Sequence, residues 1–148
     1  MRFEIDPYGT ERLRGTLAKL REAGDDPRPA FHEVADYFTA MNRQAMQTQG
    51  RSIGVRWPRL SQEYVRYRRP GPVGVQTGAL RRSLTQKGAR HSTRRLNRQY
   101  VQVATRAPHA HLFANGRGGQ PARPLVNIRP RDRKALAGIL QRHLTGDL

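Results

Sequence analysis

Between Phe31 and Met46, apolar side chains recur at three- and four-residue steps: Phe31, Val34, Ala35, Phe38, Met41, Ala45 and Met46. A helix repeats every ~3.6 residues, so this spacing gathers them into one stripe. The pattern predicts an amphipathic helix of about five turns, running through about Gln49 and stopped by Gly50. His32, Glu33, Asp36, Arg43, Gln44 and Gln47 fall largely off the stripe. A helix of this kind must lay its apolar face on something, so the fold has to be built around it. A stripe of Met and Phe reads as core packing rather than as a cofactor pocket.

The flanks supply what packs on it. Phe3 and Ile5 alternate with Arg2, Glu4 and Asp6, the period of a short strand, and Glu11 to Ala23 reads as a helix with Leu13, Leu17 and Leu20 on one face. Asp25-Asp26-Pro27-Arg28-Pro29 reads as a turn into the long helix, since proline is tolerated in a first turn. Arg51 to Pro58 is a loop with the single tryptophan, Trp57. Ser61 can cap a short helix from Gln62 to Arg69. Thr77 reads as the N-cap of a turn in which Leu80 and Leu84 point inward. Tyr100 to Ala104 and Leu125 to Ile128 read as short strands, and Asp132 as the cap of a last helix with Leu136, Ile139, Leu140 and Leu144 on its apolar face. Segregated helices and short, mainly antiparallel strands point to an α+β fold. At 148 residues the chain is expected to form one domain, 1–148.

Charge narrows the class of partner. The formal net charge is +17, and from Tyr64 to Arg131 there is no Asp or Glu. Arginine-rich coding alone explains arginine in place of lysine, but it does not explain the missing acids. The segment should meet nucleic acid or an acidic protein surface. Arg81 and Arg82, and the run Arg90, Arg94, Arg95 and Arg98, are the candidate contacts. The run is expected to form a cationic ribbon or tip between two extended arms, an extended basic hairpin or loop, suited to phosphate rather than to base edges. Hydrophobic content is 36%, or about 42% with glycine counted in place of tyrosine, somewhat below the ~45–50% usual for globular chains on that count. That fits a subunit stabilised in part by its neighbours.

Catalysis finds little support. No cysteine is present, so there is neither a disulfide nor a thiolate metal site. His109 and His111 stand close in sequence without a nearby carboxylate, and two imidazoles alone do not hold a metal. Ser83 and Ser92 lack a nucleophile-elbow setting. Gly116-Arg117-Gly118-Gly119 lacks the lysine and following helix of a phosphate loop, and reads as a flexible connection. No enzyme activity and no cofactor are expected. No apolar run approaches ~18 residues, so no membrane span is expected. The start of the chain lacks the apolar core of a signal peptide, so the chain should remain in the cell that makes it.

An ordered series of short motifs adds a resemblance. Trp57-Pro-Arg-Leu60-Ser61 with Tyr64 resembles W-x-x-L-S-x-x-Y. Thr77-Gly78-Ala-Leu80 with Ser83-Leu84 resembles T-G-x-L-x-x-S-L. His109-Ala-His111 running to Gly116 resembles Y-A-x-x-H-x-x-G, with a histidine for the tyrosine and a longer reach to the glycine. Pro121-Ala-Arg123-Pro124-Leu125 resembles P-x-R-P-F/L before a terminal helix. Together they resemble the phage virion-morphogenesis family, the tail-completion proteins of Mu-like and P2-like phages.

The resemblance implies a structural protein of the neck between capsid and tail, assembled as a ring, commonly sixfold, around the DNA channel. It implies contact with copies of itself, with neighbouring neck proteins, with a tail terminator or tail tube, and with packaged DNA. The location implied is the virion, with assembly in the host cytoplasm. On this reading Trp57, Leu60, Thr77, Gly78, Leu80, His111, Gly116, Pro121, Arg123 and Pro124 are structural, and Arg81 and Arg82 face a partner or the channel. Two alternatives remain open: a tail terminator that caps the tube, and a free sequence-nonspecific nucleic-acid-binding protein.

Overall fold

The computed structural model describes residues 24–67 and 70–146, with Gly15, Ala18 and Glu22 before them. The expected first strand lies outside the described residues, as does most of the helix over 11–23, of which Gly15, Ala18 and Glu22 are described and helical. The architecture is α+β: among the described residues, helices surround one antiparallel pair of strands.

Helix α1, Arg28–Thr48, is the predicted long helix. Asp26 starts it by accepting the Arg28 amide at 3.2 Å, with the Arg28 guanidinium folded back on the same carboxylate. Gly50 ends it with φ +84°, its amide donating to the Ala45 carbonyl at 2.8 Å. Val34, Ala35, Met41, Ala45 and Met46 are buried as the stripe requires. Asn42 and Ala30 are buried too. Asn42 stands four residues after Phe38 and four before Met46, so it lies on the stripe by spacing although its side chain is polar.

Two apolar clusters share this helix. Its C-terminal half packs Met41, Ala45 and Met46 with Ile53, Trp57 and Leu84, and Phe38, Val55, Leu80, Phe113 and Leu125 press on the outside. Its N-terminal half packs Ala30 and Val34 with Ile139, and Tyr37, Val101 and Leu136 adjoin. A single 3-10 turn, Arg51–Ile53, reverses the chain after α1 and buries Ile53. Helix α2, Gln62–Tyr67, follows, with the Ser61 hydroxyl accepting the Tyr64 amide at 3.2 Å. It buries no residue.

Helix α3, Ala79–Thr85, buries Ser83, Leu84 and Thr85. Its cap lies one residue later than the sequence implies. Gly78, at φ +75°, is the N-cap, while the Thr77 hydroxyl accepts the Ala79 amide at 3.3 Å. Strands β1, Ser92–Leu96, and β2, Val101–Thr105, pair antiparallel from Ser92 opposite Thr105 to Leu96 opposite Val101. Asn97 closes the turn, its side-chain oxygen accepting the Gln99 and Tyr100 amides. The basic run is therefore largely a strand of the hairpin and not the connection between arms.

Helix α4, Ala110–Asn115, and helix α5, Pro130–Thr145, complete the chain. Arg129 is the N-cap of α5; Asp132 sits at the third helical position and accepts the Arg129 amide at 2.9 Å. Leu125 to Ile128 forms no strand. That segment is tied down by unlike partners: the Pro124 carbonyl accepts from Trp57, and the Asn127 amide group donates to the Ile53 carbonyl at 2.8 Å. Gly116 to Gly119 is a tight turn with an isolated bridge from Arg117 to Gln120. No helix among the described residues is long and apolar enough to cross a membrane.

Candidate functional site: a motif clasp beside an arginine surface

Half of the ten motif residues, Trp57, Gly116, Pro121, Arg123 and Pro124, converge on one clasp. Trp57 is buried, its indole N–H donates to the Pro124 carbonyl at 2.9 Å, and its ring meets Phe113 edge-on at 5.1 Å. Phe113 in turn accepts the Arg123 amide through its carbonyl at 3.0 Å. Arg123 is only 6% exposed. Its guanidinium donates to the carbonyls of Pro58 (3.1 Å), Pro121 (3.3 Å) and Arg59 (3.3 Å), and lies 5.9 Å from the centre of the Phe113 ring. Burial lowers its pKa from the ordinary arginine value. Arginine suits this place because its planar fork reaches several carbonyls at once. The Trp57 and Pro121-to-Leu125 motifs are thus two halves of one contact.

Glycines make the clasp close enough. A Cβ on Gly50 would overlap the Val55 carbonyl oxygen and come within 2.7 Å of the Trp57 ring. A Cβ on Gly116, at φ +72°, would lie 2.5 Å from the Gln120 carbonyl oxygen. Leu60 is half-buried nearby in sequence, whereas His111 is exposed on α4. No group of three or more metal-ligating side chains occurs among the described residues.

Behind the clasp, α5 is fixed by a second polar cluster. Asp132 is 3% exposed; it accepts the Tyr37 hydroxyl at 2.7 Å and the Arg129 amide and guanidinium. Burial alone would raise its pKa, but the bonds from Tyr37 and Arg129 prevail and hold it at about 2. The same bond to Asp132 raises the Tyr37 pKa.

The predicted cationic contacts separate into two groups. Arg81 and Arg82 stand exposed on α3 and line an open groove of ≈ 680 Å³. Arg43, Gln47, Gln76 and Thr77 share it. Arg43, absent from the sequence-based candidates, donates to the Thr85 carbonyl at 3.1 Å, and Arg82 donates to Thr77 at 3.2 Å. On the hairpin, Arg90, Arg95 and Arg98 are exposed. Arg94 is not available in the same way. Its side chain is 18% exposed, pairs with Asp36 at 2.8 Å and donates to the His32 carbonyl at 3.0 Å. Lys87 reaches the same carboxylate, and these two cations lower the Asp36 pKa. Arg94 thus fastens the hairpin to α1 instead of presenting charge at a tip. The pattern that hid this is long-range: Asp36 and Arg94 lie far apart in sequence, and no local periodicity relates them.

With this geometry in view, the comparison with known families is decisive. The phage virion morphogenesis family model matches residues 9–145. The chain belongs to the phage virion morphogenesis family. It is therefore a structural phage virion protein. The matched span includes every motif residue of the clasp, the groove arginines and α5. No curated protein and no solved structure matches the chain.

Proposed function

We propose that this virion protein is a passive subunit of the head–tail neck, which completes the tail and makes it competent to join the head. Copies form a ring around the DNA channel and meet neighbouring neck proteins and the tail end. The observation that carries the reading is the family membership across residues 9–145. Two features of the chain support it. The first is α2, a six-residue helix with no buried residue and with Tyr64, Val65 and Tyr67 43%, 53% and 86% exposed. So short a helix gains little from its own hydrogen bonds and needs tertiary or subunit packing. A neighbouring copy or neck protein would cover those side chains.

The second feature is the acid-free stretch from Tyr64 to Arg131 in a chain of net charge +17. DNA crossing a channel must be touched without sequence preference, and arginines directed at phosphate do that. Individual contacts must be weak, or ejection would stall, and solvated arginines are weak individually.

Electron microscopy of particles made without this protein tests the reading. Tails of normal length that fail to join filled heads support it. Overlong tails would assign the chain to a tail terminator, and normal joined particles would remove it from the neck.

A further inference from the structure

Resting on the neck reading, we infer that DNA phosphate is received by two arginine-lined clefts along the 70–78 strap, and not by the hairpin. Four of the arginines concerned, Arg43, Arg51, Arg56 and Arg59, lie before the acid-free segment in sequence. Charge patterning along the chain therefore passes over them.

The strap is the common wall. Val75, Gln76, Thr77 and Gly78 line the first cleft, which holds Arg43, Arg81 and Arg82. Gly71, Pro72 and Val73 line the second, an opening of ≈ 280 Å³ that holds Arg51, Arg56 and Arg59. Gln49 pins the strap between them: its side-chain oxygen accepts the Val73 amide at 2.9 Å. All six arginines are exposed. Among the described residues none of the six forms an ion pair. The hairpin differs, because Arg94 is already matched by Asp36. Arginine charge without an ion-pair partner, set in successive clefts along one strap, is what an extended polyanion requires.

The lining decides between a nucleic acid and an acidic protein. Protein partners are held by apolar and aromatic anchors in desolvated pockets. The first cleft presents arginine, glutamine, threonine and glycine, with Val75 as its one aliphatic member of any size. In the second, Trp57 is buried in the clasp and is not available as an anchor, which leaves Pro72 and Val73 as its apolar members and no exposed aromatic ring. Guanidinium forks and neutral amide or hydroxyl donors suit phosphate oxygens.

The test is fluorescence anisotropy of a labelled duplex of about 20 base pairs with the full chain, titrated from about 50 to about 200 mM salt. Each phosphate contact contributes about 0.9 to the slope of log affinity against log salt. The triple variants R43Q/R81Q/R82Q and R51Q/R56Q/R59Q should each lower that slope by about 2 to 3, whereas R90Q/R95Q/R98Q should leave it within about 1. Arg43 and Arg82 also bond to carbonyls, so urea midpoints accompany the first triple. Should it be destabilised, R81Q alone and the second triple decide, since the side chains of Arg51, Arg56, Arg59 and Arg81 make no hydrogen bond among the described residues. Loss of slope in the hairpin variant, with the cleft variants unchanged, would overturn the site. Cleft-dependent binding of a polyglutamate peptide, without binding of the duplex, would overturn the choice of DNA. Neither result touches the neck reading, which microscopy of particles judges separately.

Discussion

Arg123→Lys should damage the protein as much as Arg123→Met. The Arg123 fork reaches the carbonyls of Pro58, Pro121 and Arg59 at 3.1 to 3.3 Å from a site 6% exposed. Each hydrogen bond from a charged donor is worth about 1.5–3 kcal/mol, so the three bonds bound the loss at about 4.5–9 kcal/mol. Two effects reduce it. Methionine no longer has a buried charge to desolvate, a cost of several kcal/mol. Pro58, Arg59 and Pro121 are exposed residues, so water can reach the vacated carbonyls. A net loss of about 2–3 kcal/mol is expected for Arg123→Met. Lysine keeps the charge and its desolvation cost, but as a point donor it cannot span three carbonyls. Its expected loss is therefore also about 2–3 kcal/mol or more. Urea unfolding of the wild type and both variants measures this. An Arg123→Lys protein within about 0.5 kcal/mol of wild type would refute the reasoning, because charge and not the fork would then hold the clasp.

Glycine substitutions should separate backbone strain from overlap: Gly88→Ala, at φ +72° with open space around it, should cost about 1–2 kcal/mol, and Gly50→Ala, which adds overlap with Val55 and Trp57, clearly more in the same unfolding assay. Asp132 has a folded pKa of about 2 against about 3.9 for an unfolded aspartate, so it stabilises the fold above pH ~4 and that contribution is lost as pH falls through about 2; Asp132→Asn should flatten stability over this window in acid titration followed by circular dichroism. Asp36→Asn should cost less than about 1 kcal/mol, as an exposed ion pair does, while hydrogen exchange at the hairpin amides quickens because Arg94 and Lys87 lose their shared anchor.

Local patterns were legible where one element decides its own form. The 31–46 stripe gave α1, Gly50 its end, Ser61 the start of α2, and Leu136 with Ile139 the inner face of α5. What the sequence concealed depends on contacts between distant residues. Leu125 to Ile128 has strand composition, yet it joins no ladder; it is placed by distant contacts, Trp57 on the Pro124 carbonyl just before it and the Asn127 side chain on Ile53. Arg94 reads as free charge until Asp36 is placed beside it. Asp132 reads as a cap, but its second oxygen belongs to Tyr37 on another helix. The site divides in the same way. Arg81 and Arg82 were visible as a pair in an acid-free segment, while Arg43, Arg51, Arg56 and Arg59 join them only through the course of the strap. Trp57 and Arg123 carried a family motif, but that they hold one another's loops follows from the folded chain alone.

The central claim is most directly tested by cryo-electron microscopy of the intact virion, at a resolution that traces α1 and α5. The account predicts a ring of this chain at the head–tail junction, with α2 covered by a neighbour and the arginine clefts turned to the DNA. Density for the chain at the distal tip of the tail, or none in the particle, would contradict it.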